Sequence, residues 1–187
     1  LFVGRLSPKK DPIALVRSFS IARQLMKNSN IELTIIGDGP LRQELIREVK
    51  SLGLEKNINI LGRQPHEIVL EKLQKSHIYV QHSIKAPDGD EEGLPVSITE
   101  ALAAGLPVIS TRHSGIPEVI QDGVTGYLVD EGDTKGMAKS MVDLAQNQKS
   151  WKELGQNGRA LLESEFSMDI TQKYLQSILS EAAQKEF

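Results

Sequence analysis

Apolar residues recur along this chain in two rhythms that alternate from one end to the other. Short unbroken runs of Val, Ile, Leu and Phe, bounded by Gly, Pro, Asp or Asn, suit strands buried on both faces. Between them, apolar positions fall three or four residues apart, the spacing of one helical face. Leu1-Phe-Val3 is the first run, ended by Gly4. Ile13, Val16, Phe19, Ala22 and Met26 then predict a helix from about Pro12 to Lys27. A second strand is expected over Ile31–Ile36, closed by Gly37-Asp-Gly-Pro40. Pro40 suits a helix start, since its missing N–H would be unpaired there anyway, and the helix over 41–52 carries Leu41, Leu45, Ile46 and Val49. A strand over 58–61, a helix over 67–76 and a strand over 78–80 follow. Pro95 opens a short helix that ends before Gly105, with Pro107 blocking its continuation. Val108-Ile109, a helical turn over 117–120 and strand Tyr127–Val129 come next. From Thr134 three helical segments run on, the last with Ile170, Tyr174, Leu175 and Ile178.

Strands of this kind alternating with amphipathic helices specify a parallel sheet with helices on both faces, an α/β, Rossmann-like architecture in one domain over 1–187. Such sheets bind ligands beyond the carboxyl ends of their strands. The loops carrying Arg5, Asp38, Arg63, Glu92 and His113 all follow strands, so they are expected to gather at that edge.

Composition narrows the function. The 187 residues are 39% hydrophobic and 25% charged, enough for a real core. A net charge of −3 gives no electrostatic case for nucleic acid or for a broad anionic membrane surface. With no cysteine, disulfides, thiolate metal sites and cysteine nucleophiles are excluded, and a reducing compartment fits. No apolar run nears the ~20 residues that cross a bilayer. The chain opens directly in a strand at Leu1 without an initiator Met, as expected of a piece of something longer.

The candidate chemistry centres on Glu92-Gly-Leu-Pro-Val-Ser-Ile-Thr-Glu100. Glu92 ends an acidic loop, and Glu100 lies on the second turn of the helix after it. Helical side chains lean toward their own N-terminus, which turns Glu100 back toward that loop. Two hydroxyl acceptors beside helix N–H groups that favour anions suit a ligand carrying both hydroxyls and phosphates. Arg5 and Lys10, on the loop after the first strand, would neutralise a diphosphate; Lys9 reads as surface. Gly37-Asp-Gly39 lacks the third glycine of a dinucleotide fingerprint and reads as a tight turn with helix capping. Asp88-Gly-Asp90-Glu-Glu-Gly93 fails as a calcium loop, because its twelfth position is Thr99, so no metal is expected. His66 and His77 read as surface; for His82 and His113, cleft-lining and structural roles weigh evenly. The chain has no Gly-x-Ser-x-Gly elbow and no His-Glu-x-x-His helix.

In order, Gly4-Arg5-Leu6 with Lys10, Gly37-Asp-Gly-Pro-Leu41, Leu61-Gly-Arg63, Glu92-Gly93 with Glu100-Ala-Leu-Ala-Ala-Gly-Leu-Pro-Val108, Ser114-Gly-Ile-Pro-Glu118 and Asp122-Gly-Val-Thr-Gly-Tyr-Leu-Val129 resemble the C-terminal, donor-binding domain of retaining glycosyltransferases of the GT-B fold, family four. The resemblance implies that Arg5 and Lys10 hold the diphosphate of a nucleotide-sugar and stabilise it as leaving group. It also implies that Glu92 contacts the sugar, with Gly93, Leu94 and Val96 beside it, that Glu100 holds the ribose, and that the base lies by Arg63 and Gln64. The expected donor is a UDP- or GDP-sugar, with no cofactor and no metal. The expected partners are that nucleotide-sugar and an N-terminal acceptor domain absent from this chain. The location implied is cytoplasmic, with any attachment to the inner face of the membrane made through the missing half.

Two departures stand out. Gly93-Leu94-Pro95 replaces the Gly-Phe-Gly of many relatives, and Pro95 has no N–H to offer a phosphate, a contact that the amides of Val96 and Ser97 would replace. The loop over 83–91 is long and acidic, resembling members that act in exopolysaccharide and colanic-acid-like assembly. Competing expectations are a non-catalytic nucleotide-binding or interaction module on the same fold, and an epimerase or phosphorylase.

Overall fold

The computed structural model describes residues 1–27, 31–167, 169–170 and 172–177. Six strands are laid down in two parallel sets: β1 (Phe2–Val3), β2 (Leu33–Ile36) and β3 (Ile58–Gly62) in the order β1-β2-β3, and β4 (Tyr79–Val80), β5 (Val108–Thr111) and β6 (Gly126–Val129) in the order β4-β5-β6. Phe2 pairs with Ile35, Leu33 with Ile58, Tyr79 with Val108 and Val108 with Gly126. The two sets meet edge to edge: the Leu1 amino group donates to Ile78 O at 2.9 Å, and Val80 N–H donates to Leu1 O at 2.9 Å. The continuous order is therefore β3-β2-β1-β4-β5-β6, with the chain reversing its direction of travel between β1 and β4. That is the switch point of a doubly wound sheet, where a crevice opens at the carboxyl edge.

Among the described residues, α1 (Pro12–Leu25), α2 (Arg42–Ser51), α3 (His66–Lys75), α4 (Val96–Ala103) and α5 (Ile116–Val119) lie between strands, and α6 (Thr134–Gln146) and α7 (Gln148–Glu165) follow β6. Neighbouring residues of each strand face opposite sides. Ile35, Val80, Ile109 and Val129 pack into a core with α1, α2 and α6; Ile36, Tyr79, Val108 and Leu128 pack into a second core with α3, α4 and α5. Both faces are apolar because both are covered. The helical periodicity of α1 holds in full, with Ile13, Val16, Phe19, Ala22 and Met26 all buried.

The boundaries differ in a few places. The first helix stops at Leu25, and Ile31 precedes its strand. Pro40 lies in a turn and α2 begins at Arg42, with Leu41 as its N-cap; Leu41 N–H, which has no acceptor within the helix, donates to Leu6 O at 3.0 Å. Ile46 is exposed on α2. Helical turns resume at 169–170 and 172–177 with Ile170, Tyr174 and Leu175 exposed; Ile178 lies outside the described residues. No helix among the described residues is long and apolar enough to cross a membrane.

Candidate functional site

Each of the three carboxyl-edge loops around the switch point is fixed by a different device. After β1, the chain drops Leu6, fully buried, into the core and turns through a 3-10 segment at Pro8–Lys10. The neighbouring Gly37-Asp-Gly39 is built for contact with this loop: Leu6 N–H donates to Asp38 O at 3.0 Å, and a Cβ on Gly37 or Gly39 would run into the carbonyl of Gly4 or Leu6. Close approach, rather than helix capping, is the role of those glycines. Asp11, at φ 31°, caps α1 by accepting Ala14 N–H at 3.0 Å. The Lys10 stem lies across Gly4, where a Cβ would come within 2.8 Å of Lys10 Cδ.

The loop after β4 is held by polar groups that are themselves buried. Thr111 Oγ1 donates to Ser83 O at 2.6 Å, and Ser110 Oγ to Gln81 O at 2.8 Å. Tyr79 Oη sits 3.0 Å from Val3 O and 2.9 Å from Gln81 Oε1, and Ser97 Oγ donates to the same Gln81 oxygen at 3.1 Å. This chain of contacts stitches the end of β1, the end of β4 and the first turn of α4 into one unit. Burial pushes the Tyr79 hydroxyl well above the ordinary tyrosine range, so it stays a neutral donor.

Glu92 then arrives at the Lys10 ammonium. Its Oε1 lies 3.4 Å from Lys10 Nζ and 3.8 Å from Lys9 Nζ, and only 12% of its side chain is exposed. The Lys10 distance exceeds the ~2.7–2.9 Å of a charge-assisted hydrogen bond, so this buried oxygen is ion-paired with Lys10 yet makes no well-formed hydrogen bond among the described residues. Burial pulls the Lys10 ammonium below its ordinary value of 10.5, with Glu92 opposing. Lys9, expected at the surface, is half-buried instead and donates to Asp90 Oδ1 at 3.0 Å and to Glu91 O at 3.3 Å, tying the acidic loop to the first loop. Lys85 pairs with Glu91 at 2.6 Å. Lysines thus neutralise much of the acidic stretch.

The remaining candidates fall into two adjoining groups. Arg5, Arg63 and Gln64 line an open pocket of ≈ 610 Å³ with Gly4, Gly37 and Asp38. Arg5 and Arg63 are exposed, and Gln64 Nε2 donates to Leu61 O at 2.7 Å. Lys10, Glu92, Gly93, Leu94, Val96 and Glu100 do not line that pocket; Lys10 adjoins it across Gly4 and meets Glu92. Glu100 faces the start of α3, with its Oε1 3.9 Å from His66 Nδ1. Gly93 borders open space, Leu94 packs on the second core and Val96 is 68% exposed. Pro95 is the N-cap of α4, and no side chain caps the helix, which leaves the Val96 and Ser97 amides facing outward.

His113 enters the site through a contact that no local pattern announces. It is 3% exposed on the loop after β5, and its Nε2 accepts Glu92 N–H at 3.2 Å. Its Nδ1 lies 2.6 Å from Glu131 Oε1, on the loop after β6. His82 is fully buried 3.6 Å from Asp11, and burial lowers its pKa. His77 is exposed and stacks on Trp151 with ring centroids 5.0 Å apart. A second cavity, of ≈ 420 Å³, opens at the opposite, amino edge of the strands by Leu33, Thr34 and Ile78 and contains none of the candidates.

Known proteins place this geometry. The family described as "Glycosyl transferases group 1" matches residues 1–161. The chain is 36% identical over 183 residues to the amylovoran biosynthesis glycosyltransferase of Erwinia amylovora, covering 98% of this chain and 44% of that protein. It is 31% identical over 179 residues to a putative colanic acid biosynthesis glycosyltransferase of Escherichia coli, covering 95% of this chain and 43% of that protein. Among solved structures, Anabaena HepE in complex with UDP superposes with a TM-score of 0.81 at 22% identity, over 96% of this chain and 48% of that one. The chain spans less than half the length of each.

Proposed function

Because the chain belongs to the glycosyl transferases group 1 family, we propose that it is the donor-binding, C-terminal half of a retaining glycosyltransferase that uses a UDP- or GDP-sugar. The observation that carries this is the meeting of Lys10 with Glu92 beside the pocket that Arg5 lines, at the switch point of the sheet. Cations for a diphosphate and an acceptor for a sugar hydroxyl stand side by side.

The residues divide the work by chemistry. Arg5, exposed and with no ion-pair partner among the described residues, and Lys10 hold the diphosphate. As the bond from the anomeric carbon to the phosphate oxygen breaks, negative charge grows on that oxygen, and the two cations meet it where it develops. Glu92 Oε1, buried and short of a donor, takes a hydroxyl of the transferred sugar. Glu100 holds the ribose hydroxyls, with the base in the pocket by Arg63 and Gln64. The Val96 and Ser97 amides supply the N–H groups that Pro95 lacks. The acceptor hydroxyl oxygen then bonds to the same face of the anomeric carbon as its proton passes to the departing diphosphate oxygen, with a second domain carrying the acceptor. The names of the Erwinia and Escherichia relatives support a role in cell-surface polysaccharide assembly.

Calorimetric titration of the chain with UDP, GDP and ADP, with and without magnesium, tests the donor site. One nucleotide is expected to bind without metal, and Glu100→Ala is expected to weaken it by about tenfold or more, the loss of hydrogen bonds to a charged acceptor. Affinity indifferent to Glu100→Ala would overturn the assignment.

A further inference from the structure

Glu92 ends a long irregular loop, yet it is the carboxylate whose position matters most if the chain binds a nucleotide-sugar. Two main-chain contacts fix it from outside: its own N–H donates to His113 Nε2 at 3.2 Å, and Gly93 O accepts Gly115 N–H at 3.3 Å. His113 is in turn anchored from its other nitrogen, 2.6 Å from Glu131 Oε1, and Glu131 Oε2 accepts Lys85 N–H at 3.0 Å. One imidazole and one carboxylate therefore tie together the loops after β4, β5 and β6. The contacts also fix the proton. A backbone N–H can only donate, so His113 Nε2 presents its lone pair, and the ring proton sits on Nδ1, donated to Glu131. The ring is 3% exposed, so water does not compete for either nitrogen.

We propose that His113, oriented by Glu131, is a positioning residue that holds Glu92 against the sugar, so that the pair sets the grip on the sugar more than the grip on the nucleotide. This rests on the assignment of Glu92 to the sugar. Arg5, Arg63, Gln64 and Glu100 share no hydrogen bond or ion pair with His113 or Glu131, so a fault in the pair reaches the sugar through Glu92, and the diphosphate only through the contact of Glu92 with Lys10. A role confined to packing would loosen the whole edge and weaken every ligand alike.

The test compares affinities for UDP, UDP-glucose, GDP and GDP-mannose in the wild-type chain, His113→Ala, His113→Gln and Glu131→Gln, with imidazole ¹⁵N shifts of the wild type recorded alongside. For the nucleotide that binds, His113→Ala is expected to leave the bare diphosphate within about twofold and to weaken the sugar form by roughly tenfold, the loss of one buried hydrogen bond at the carboxylate's anchor. His113→Gln should recover most of that, since its carboxamide oxygen can accept Glu92 N–H. Glu131→Gln should move the same ratio in the same direction by less, and the ¹⁵N shifts should report the Nδ1–H tautomer. Equal weakening of both ligands, an unchanged ratio in all variants, or an Nε2–H tautomer overturns the proposal. A wild-type chain that binds none of the four overturns the donor site itself, and this proposal with it; normal nucleotide binding with an unmoved ratio overturns this proposal alone.

Discussion

Lys10 is the residue on which opposing influences converge most closely. Burial lowers its pKa below 10.5, while Glu92 at 3.4 Å raises it. In the unfolded chain the ammonium keeps its proton up to the ordinary value, so folding releases a proton in the window just below 10.5. Stability is penalised beneath that window and recovers as pH rises through it. Binding of the proposed diphosphate runs the other way, because it needs the charged form of Lys10. Nucleotide affinity is expected to fall with rising pH earlier than an exposed lysine would allow. Glu92→Gln removes the group that raises the Lys10 pKa, so it should shift that decline to still lower pH. Calorimetry across the alkaline range checks the direction: a decline that stays put in Glu92→Gln contradicts the coupling. At this scale the meeting of Glu92 with Lys10 at 3.4 Å follows from what was legible in the sequence, their places on loops after strands. The half-buried state of Lys9 and the contacts of His113 with Glu92 and Glu131 were not legible. They join loops 18 to 81 residues apart, and no local periodicity encodes such a meeting. The available signal was a histidine two residues past a fully buried strand.

Elements were read more surely than residues because a helix or strand repeats its pattern over several turns. The spacing in α1, the bounded runs of the strands and Gly105 just past α4 all carried through; Gly105 adopts φ 76° beyond the helix end. Pro40 was expected to open α2 but lies in the turn two residues before it. Helix packing shows a further limit of local reading. Gly155 and Gly158 sit inside α7, where alanine would ordinarily gain about 1 kcal/mol of helix propensity. Yet a Cβ on Gly155 would drive into the backbone oxygen of Gly105, at the end of the helix that carries Glu100. The backbone clash outweighs the gain in propensity, so Gly155→Ala should cost about 1–3 kcal/mol, lowering Tm by some degrees. At Gly158 the neighbour is the flexible Leu102 Cδ2, 2.6 Å from the added carbon, and the loss should be smaller. Thermal melts of the two variants decide it. A Gly155→Ala protein as stable as wild type would show that α7 can lift off α4.

For the molecule as a whole, function follows from where the sheet reverses. Alternating strand and helix patterns were enough to expect a parallel sheet and a ligand at its carboxyl edge. They could not supply the strand order, which depends on Leu1 meeting Ile78 and Val80 across the seam. With β1 beside β4, the loop carrying Arg5 and Lys10 faces the loop carrying Glu92, although they lie more than 80 residues apart in sequence. The proposed donor site is thus a property of the seam, and each half of the sheet holds only part of it. An NMR titration of the ¹⁵N-labelled chain with UDP and with GDP tests this most directly. For the nucleotide that binds, the amides of Gly4, Arg5, Lys10, Arg63 and Gln64 from one half, and of Gly93, Val96 and Glu100 from the other, are expected to shift together along one binding curve. Shifts confined to one half, or clustered instead around Leu33, Thr34 and Ile78 at the opposite edge, would contradict the account.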